Sequence, residues 1–184
     1  MVQGHSAGRS RVAVFIDGAN LYNRLRERGW PANVDIARFA ARLVGQRTFA
    51  GAWYYNVSPP PEYPGHRAAA QERYYSRIEA SAGVTFSRGF LQRRVVDGHV
   101  VYEEKGVDVS LVVDMLTGAF KDAYDTAILV SSDGDFKPAV EAVRREGKRV
   151  EYVYFPGTQR SRALLHACDV ARECRRAWLV LFDL

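Results

Sequence analysis

Val12-Ala-Val-Phe-Ile-Asp-Gly-Ala-Asn20 decides the fold. An apolar run ends on an aspartate, and a glycine-containing turn follows at once. Short β-branched and aromatic runs that end this way read as buried parallel strands leading into helices. The pattern recurs downstream, where Ala127-Ile-Leu-Val130 leads through Ser131-Ser132 to Asp133-Gly134-Asp135. In an open α/β sheet, ligands sit beyond the carboxyl ends of the strands, where strand order reverses. Two strands that each deliver carboxylates to that edge predict a cation site. A third acid, Asp108 in Glu104-Lys-Gly-Val-Asp108, opens a helical pattern and is a candidate to join them. Carboxylates without an accompanying His or Cys set favour a hard cation, Mg²⁺ or Mn²⁺.

Working outward, a helix is expected from Leu21 to about Arg28, broken by Gly29-Trp-Pro-Ala-Asn33. Asp35 caps a second, with Ile36, Phe39, Ala40 and Leu43 at helical spacing. Phe49 to Asn56 reads as a strand. Residues 57–65 hold four of the seven prolines and read as an ordered or semi-rigid loop. A helix follows from about His66 to Ser81, then a strand from Val84 to Leu91. Asp97-Gly98 lies between Arg94-Val-Val96 and His99-Val-Val-Tyr102, a strong hairpin signal. A helix from about Asp108 to Phe120 precedes the strand Thr126–Ser131. Pro138 falls in the first turn of the next helix, where proline is tolerated. Arg149–Phe155 gives another strand, Ser161–Cys168 a short helix, and Trp178–Phe182 a last strand or packed tail. The alternation predicts an α/β fold: one three-layer α/β/α domain over residues 11–184, with a mostly parallel sheet and an inserted β-hairpin. Residues 1–10, polar and small, are expected to be a flexible tail.

Composition narrows the function classes. The chain has 184 residues, 47% of them hydrophobic and 26% charged, as in an ordinary globular domain. Cys168 and Cys174 make neither a disulfide framework nor a Cys-x-x-Cys zinc pair, so a reducing cytoplasm is the simplest compartment. His66, His99 and His166 are scattered and show no zinc pattern. No apolar stretch is long enough to span a bilayer, and no membrane partner is expected. The net charge of +5 permits a polyanionic partner without requiring one. Basic residues cluster at Arg88, Arg93, Arg94 and Lys105, at Arg144, Arg145, Lys148 and Arg149, at Arg160 and Arg162, and at Arg172, Arg175 and Arg176. Each cluster also reads as a solvated face. An acidic centre within a basic protein suits a phosphodiester held by cations.

Three motifs together carry a family resemblance: Phe15-Ile-Asp-Gly-Ala-Asn20, Lys105-Gly-Val-Asp-Val109 and Ser131-Ser-Asp-Gly-Asp-Phe136. In order and spacing they resemble the NYN domain, and within it the LabA/DUF88 branch of the PIN-like nuclease superfamily, from about residue 11 to the C-terminus. The resemblance implies a Rossmann-like PIN fold and a metal-dependent ribonuclease site. Carried over by position, Asp17, Asp108, Asp133 and Asp135 would bind Mg²⁺ or Mn²⁺, directly or through water. Asn20 would orient the site, its amide holding a water or a phosphate oxygen. The implied partner is RNA, single-stranded, with homo-oligomerisation left open. Such strands are held by aromatic stacking and basic contacts. Arg93, Arg94 and Lys105 are the candidates for the RNA backbone, and Tyr63 in the proline-rich loop for base contact.

Bland readings stand beside these. Asp17 and Asp108 each also read as a helix cap, and Asp133 or Asp135 alone as a turn residue. Asp114 lies about 240° around the helix from Asp108 and does not share its face. Lys105 reads equally as a solvent-facing lysine. Tyr54, Tyr55, Tyr74 and Tyr75 fit core packing better than stacking. Two other functions compete with the ribonuclease: a non-catalytic RNA-binding or regulatory module, and a phosphatase acting on a small phosphorylated metabolite or nucleotide.

Overall fold

In the computed structural model, which describes residues 9–58, 60, 65–97 and 99–183, the opening apolar run forms strand β1 (Arg11–Asp17) at the centre of a seven-stranded sheet. Val12 to Ile16 are fully buried, as a strand covered on both faces requires. β2 (Thr48–Val57) pairs with it in parallel on one side and β5 (Thr126–Val130) on the other. Beyond β2 lie β3 (Val84–Val96) and β4 (His99–Lys105), and beyond β5 lie β6 (Arg149–Tyr154) and β7 (Val170–Glu173). The β3–β4 pair is antiparallel and the other pairs are parallel. The chain builds outward from β1 in one direction, then returns and builds outward in the other. Strand order therefore reverses between β1 and β5, and a doubly wound sheet opens its crevice there.

Two layers of helices cover the sheet. One holds α1 (Gly18–Glu27), α2 (Ile36–Val44) and α3 (Gly65–Glu79). The other holds α4 (Val107–Phe120), α5 (Lys137–Arg145) and α6 (Arg162–Ala167). The two-residue period of β1 feeds both layers. Val12, Val14 and Ile16 pack with Leu21, Leu25, Phe39 and Ile78 on one face. Ala13 and Phe15 pack with Leu111, Met115 and Val140 on the other. Burying each large apolar side chain contributes roughly 1.5–3 kcal/mol.

The hairpin is the far half of β3 rather than a separate insertion. Val84–Gly89 pair with β2, and from Phe90 onward the strand exchanges that partner for β4. Because Gly89 faces Val57, the last residue of β2, everything after it stands beyond the carboxyl edge of the sheet. Asp97 takes φ 51°, the left-handed backbone that a two-residue hairpin turn demands.

Two expectations change, and a third segment takes one of its two expected forms. The strand β7 was not expected, because Val170-Ala-Arg-Glu173 is short and half charged. Of the two alternatives for Trp178–Phe182, the packed tail is the one observed: Arg176–Trp178 forms a 3₁₀ turn, and Trp178, Leu179, Leu181 and Phe182 pack on the first core. Arg9 and Ser10, placed in the tail by composition, are tied to the sheet. Thr48 donates its backbone N–H to the Ser10 carbonyl at 3.0 Å and its hydroxyl to that of Arg9 at 3.3 Å. Residues 1–8, most of the expected tail, and residues 59 and 61–64 of the proline-rich segment lie outside the described residues.

Gly18 is fixed by close approach. A Cβ there would stand 2.5 Å from Tyr54 Cζ and 2.7 Å from the Tyr55 carbonyl oxygen. Tyr54 is itself buried, so the ring cannot swing clear. Gly18→Ala is expected to cost about 1–3 kcal/mol, the usual penalty of overpacking. At roughly 2–4 °C per kcal/mol for a chain of this size, a thermal melt resolves it. An unchanged melting temperature would show that Tyr54 yields.

Candidate functional site

The last residue of β1 meets the loop after β5 across the switch point. Asp17 is 6% exposed and caps α1, its Oδ1 accepting the Asn20 N–H at 2.9 Å. Its Oδ2 accepts the Ser131 hydroxyl at 2.9 Å. Ser131 Oγ in turn accepts the Asp133 N–H at 3.2 Å, and Asn20 Oδ1 accepts the Ser132 N–H at 3.0 Å. These bonds lock the start of α1 to the loop that carries Asp133 and Asp135. Asp133 caps a 3₁₀ turn (Gly134–Phe136), its Oδ1 accepting the Asp135 N–H at 2.9 Å. The capping reading of Asp17 and the turn reading of Asp133 are therefore realised, and in each case the cap occupies one oxygen of a carboxylate that has two.

Asp108 comes from the other helical layer. It sits in the first turn of α4 and is not its cap; that position belongs to Gly106, at φ 84°. Electrostatics places the acids together. Burial pushes the Asp17 carboxyl up to about 6, against the opposing pull of the Asn20 N–H and the Ser131 hydroxyl, and the charges of Asp108 and Glu104 raise it further. The Asp108 carboxyl is raised by desolvation and then by Asp133 and Asp135. The Glu104 carboxyl is raised by desolvation and by Asp108. Carboxylates from β1, β4, α4 and the loop after β5 thus share one field at the carboxyl edge. Yet among the described residues no three acid, imidazole or thiol groups are gathered tightly enough to enclose a metal ion. The donor set is all oxygen, anionic and open. It fits a hard cation that keeps part of its water shell, the habit of Mg²⁺, better than a bare ion in a protein cage.

A family model described as the NYN domain matches residues 11–173. The chain belongs to the NYN domain family. The low amplitude and bright protein LabA of Synechococcus elongatus is 28% identical over 173 residues, a span that covers 91% of this chain and 80% of that protein. The crystal structure of a Vibrio parahaemolyticus protein of unknown function matches at a TM-score of 0.73 and 24% identity, over 96% of this chain and 100% of that one. At that identity the likeness carries the fold. NYN domains are in general PIN-like nucleases.

The NYN hairpin sorts the predicted rim residues. Directly opposed residues of an antiparallel pair share a face, and so do residues two apart. Leu91, Arg93, Tyr102 and Glu104 therefore lie on one face, and Phe90, Arg94, Glu103 and Lys105 on the other. Arg94 Nε stands 3.0 Å from Glu103, and Lys105 pairs with the same carboxylate. Arg93 is exposed and makes no ion pair among the described residues. Tyr63 lies outside the described residues. Tyr54, Tyr55 and Tyr75 are buried in the two cores.

The basic groups at Lys148–Arg149, Arg144 and Arg172 do not flank the acids. Lys148 and Arg149 lie at the start of β6, on the opposite edge of the sheet, where Lys148 pairs with Asp122. Arg144 pairs with Asp169 at 2.7 Å. Arg172 and Arg47 close on Glu151, which is 6% exposed. Asp114 accepts the Tyr55 hydroxyl at 2.9 Å and anchors the end of β2. Glu104 is the residue that sequence reasoning passed over. What brings it to the edge is the register of β4 against β3.

Proposed function

We propose that this NYN domain is a metal-dependent ribonuclease that hydrolyses phosphodiester bonds of single-stranded RNA at an acidic Mg²⁺ or Mn²⁺ centre. The observation that carries the reading is the junction at the switch point, where Ser131 bonds both Asp17 and the loop of Asp133 and Asp135, with Asp108 beside them. When bound, a divalent cation would supply an activated water and a sink for charge on the phosphoryl group. Asp17 would hold it most rigidly, because both of its oxygens are already oriented by α1 and Ser131. Asp108, Asp133 and Asp135 would complete the shell, in part through water. Asn20 spends its carbonyl on the Ser132 N–H, and its amide hydrogens would orient a water or a phosphate oxygen. Glu104 would add a further acceptor on the hairpin side. Metal-dependent, EDTA-sensitive cleavage of RNA by the pure protein tests the reading.

Substrate engagement gives a second expected result. RNA affinity should fall with salt, with a log–log slope of about −0.7 per phosphate neutralised on a single strand. Arg93→Ala should flatten that slope by about 0.7, whereas Arg94→Ala, whose charge is already matched by Glu103, should change it little. Fluorescence anisotropy across a salt series reads both. Equal slopes for the parent and Arg93→Ala would remove Arg93 from the interface.

A further inference from the structure

Beside the acidic edge, between α1 and α3, lies a cavity of about 830 Å³. That volume falls in the roughly 300–1,000 Å³ range of pockets that hold small ligands. Aromatic, cationic and carboxamide side chains line it. Tyr22 on α1 is 45% exposed, and the Arg26 guanidinium stands over one face of its ring, 5.8 Å from the centroid, and donates to its hydroxyl at 3.3 Å. The other face of an exposed aromatic ring backed by a guanidinium is a surface on which an unpaired base stacks. Arg67 of α3 also lines the cavity. Neither Arg26 nor Arg67 pairs with a carboxylate among the described residues, whereas Arg88, also near α3, is held by Glu72 and Glu79. Guanidinium groups not spent on carboxylates suit a phosphate.

Two carboxamides face the same space, each held in place. Asn56 is 8% exposed, donates Nδ2–H to the Tyr54 hydroxyl at 3.2 Å and accepts the Val57 N–H at 2.8 Å. Gln71 donates to the Tyr75 hydroxyl at 2.5 Å. Fixed amide edges of this kind read the hydrogen-bonding edge of an unpaired base. The cavity also shares walls with the acids. Ala19, next to Asn20, lines it, and so does Glu104, which stands in the field of Asp108. The hairpin face that carries Leu91, Tyr102 and Glu104 continues outward to Arg93.

We infer that this cavity receives one nucleotide unit of single-stranded RNA, its base stacked on Tyr22 and its phosphate on Arg26 and Arg67, beside the phosphate presented to the acidic edge. The inference rests on the ribonuclease reading and adds to it a defined nucleotide-binding subsite. It is tested by equilibrium binding in EDTA, where turnover plays no part. The probes are a labelled hexanucleotide RNA and a 5′-mononucleotide competitor, and the proteins are the parent, Tyr22→Ala, Arg26→Ala with Arg67→Ala, and Arg145→Ala as a control at the far edge. Tyr22→Ala should weaken hexanucleotide binding by about tenfold or more, within the range measured for base–aromatic stacking. The double arginine variant should weaken it at least as much, Arg145→Ala should not, and the mononucleotide should compete. Thermal melts confirm that each variant folds. If these effects appear while no condition yields cleavage, the cavity stands and the ribonuclease reading falls. If the parent cleaves RNA but the cavity variants bind as the parent does, or the mononucleotide binds without competing, the inference is overturned while the ribonuclease reading survives.

Discussion

Asp17→Asn is expected to lower metal-dependent RNA cleavage by at least ~10²-fold, since charge stabilisation by a bound metal is worth several kcal/mol and each 1.4 kcal/mol is tenfold. The fold should survive. Asn retains an oxygen to cap α1 and an amide to meet Ser131, the two bonds that Asp17 makes. Stability without metal should rise, for a reason whose sign follows from burial. The Asp17 carboxyl titrates at about 6 in the folded chain and at 3.8 in its reference state. The folded chain therefore holds the proton more tightly. The corresponding stability is fully present below about pH 4 and is lost as pH rises through about 6. By pH 8 the ionised, buried carboxylate costs on the order of 2–3 kcal/mol. Asp17→Asn removes that cost, so the metal-free variant should melt above the parent at pH 8 and close to it at pH 4. A variant that melts well below the parent at pH 8 would make Asp17 a structural group. Full cleavage by that variant would remove it from the chemistry.

Mn²⁺ should raise the melting temperature of the parent. A ligand that binds only the folded chain stabilises it by mass action, about 4.1 kcal/mol at 1,000 times its dissociation constant. At roughly 2–4 °C per kcal/mol for a chain of this size, the shift is on the order of 8–16 °C. The effect should be strongest above pH 6, because protons and the cation compete for Asp17. Asp108→Asn should lose most of the shift, since it removes the carboxylate that feels both Asp133 and Asp135. Melts in EDTA and in saturating Mn²⁺ measure it. A parent insensitive to Mn²⁺ at pH 8, or an Asp108→Asn variant with the full shift, would dissolve the proposed centre.

The parts of the molecule that were legible in the sequence are those whose physics is local. Val12–Ile16 and Ala127–Val130 are apolar because both faces of a central parallel strand are covered, and the residue that follows each run must then lie at the carboxyl edge. Asp17 and Asp133 could be placed from that pattern without knowledge of their neighbours. What could not be read depends on register and parity. Arg93 and Arg94 are adjacent in the chain, yet they fall on opposite faces of the hairpin, and Glu103 absorbs Arg94 and Lys105. Glu104 reaches the acids only because β3 exchanges β2 for β4 at Phe90. The cluster of Lys148 and Arg149 looked equivalent to the hairpin arginines in composition, and the sheet puts it at the other edge. The short strand β7 carries too little apolar sequence to announce itself. The cavity between α1 and α3 draws on residues from Ala19 to Glu104, a separation no local pattern encodes.

The central claim is that the acids at the β1–β5 crevice support metal-dependent hydrolysis of RNA. Its most direct test incubates the purified protein with end-labelled single-stranded RNA, and with DNA of matching sequence, in Mg²⁺, in Mn²⁺ and in EDTA, alongside Asp17→Asn. Shortened RNA products with either cation, none in EDTA and none with Asp17→Asn, are the predicted result. RNA left intact under every condition, or cut equally by the parent and by Asp17→Asn, would contradict it.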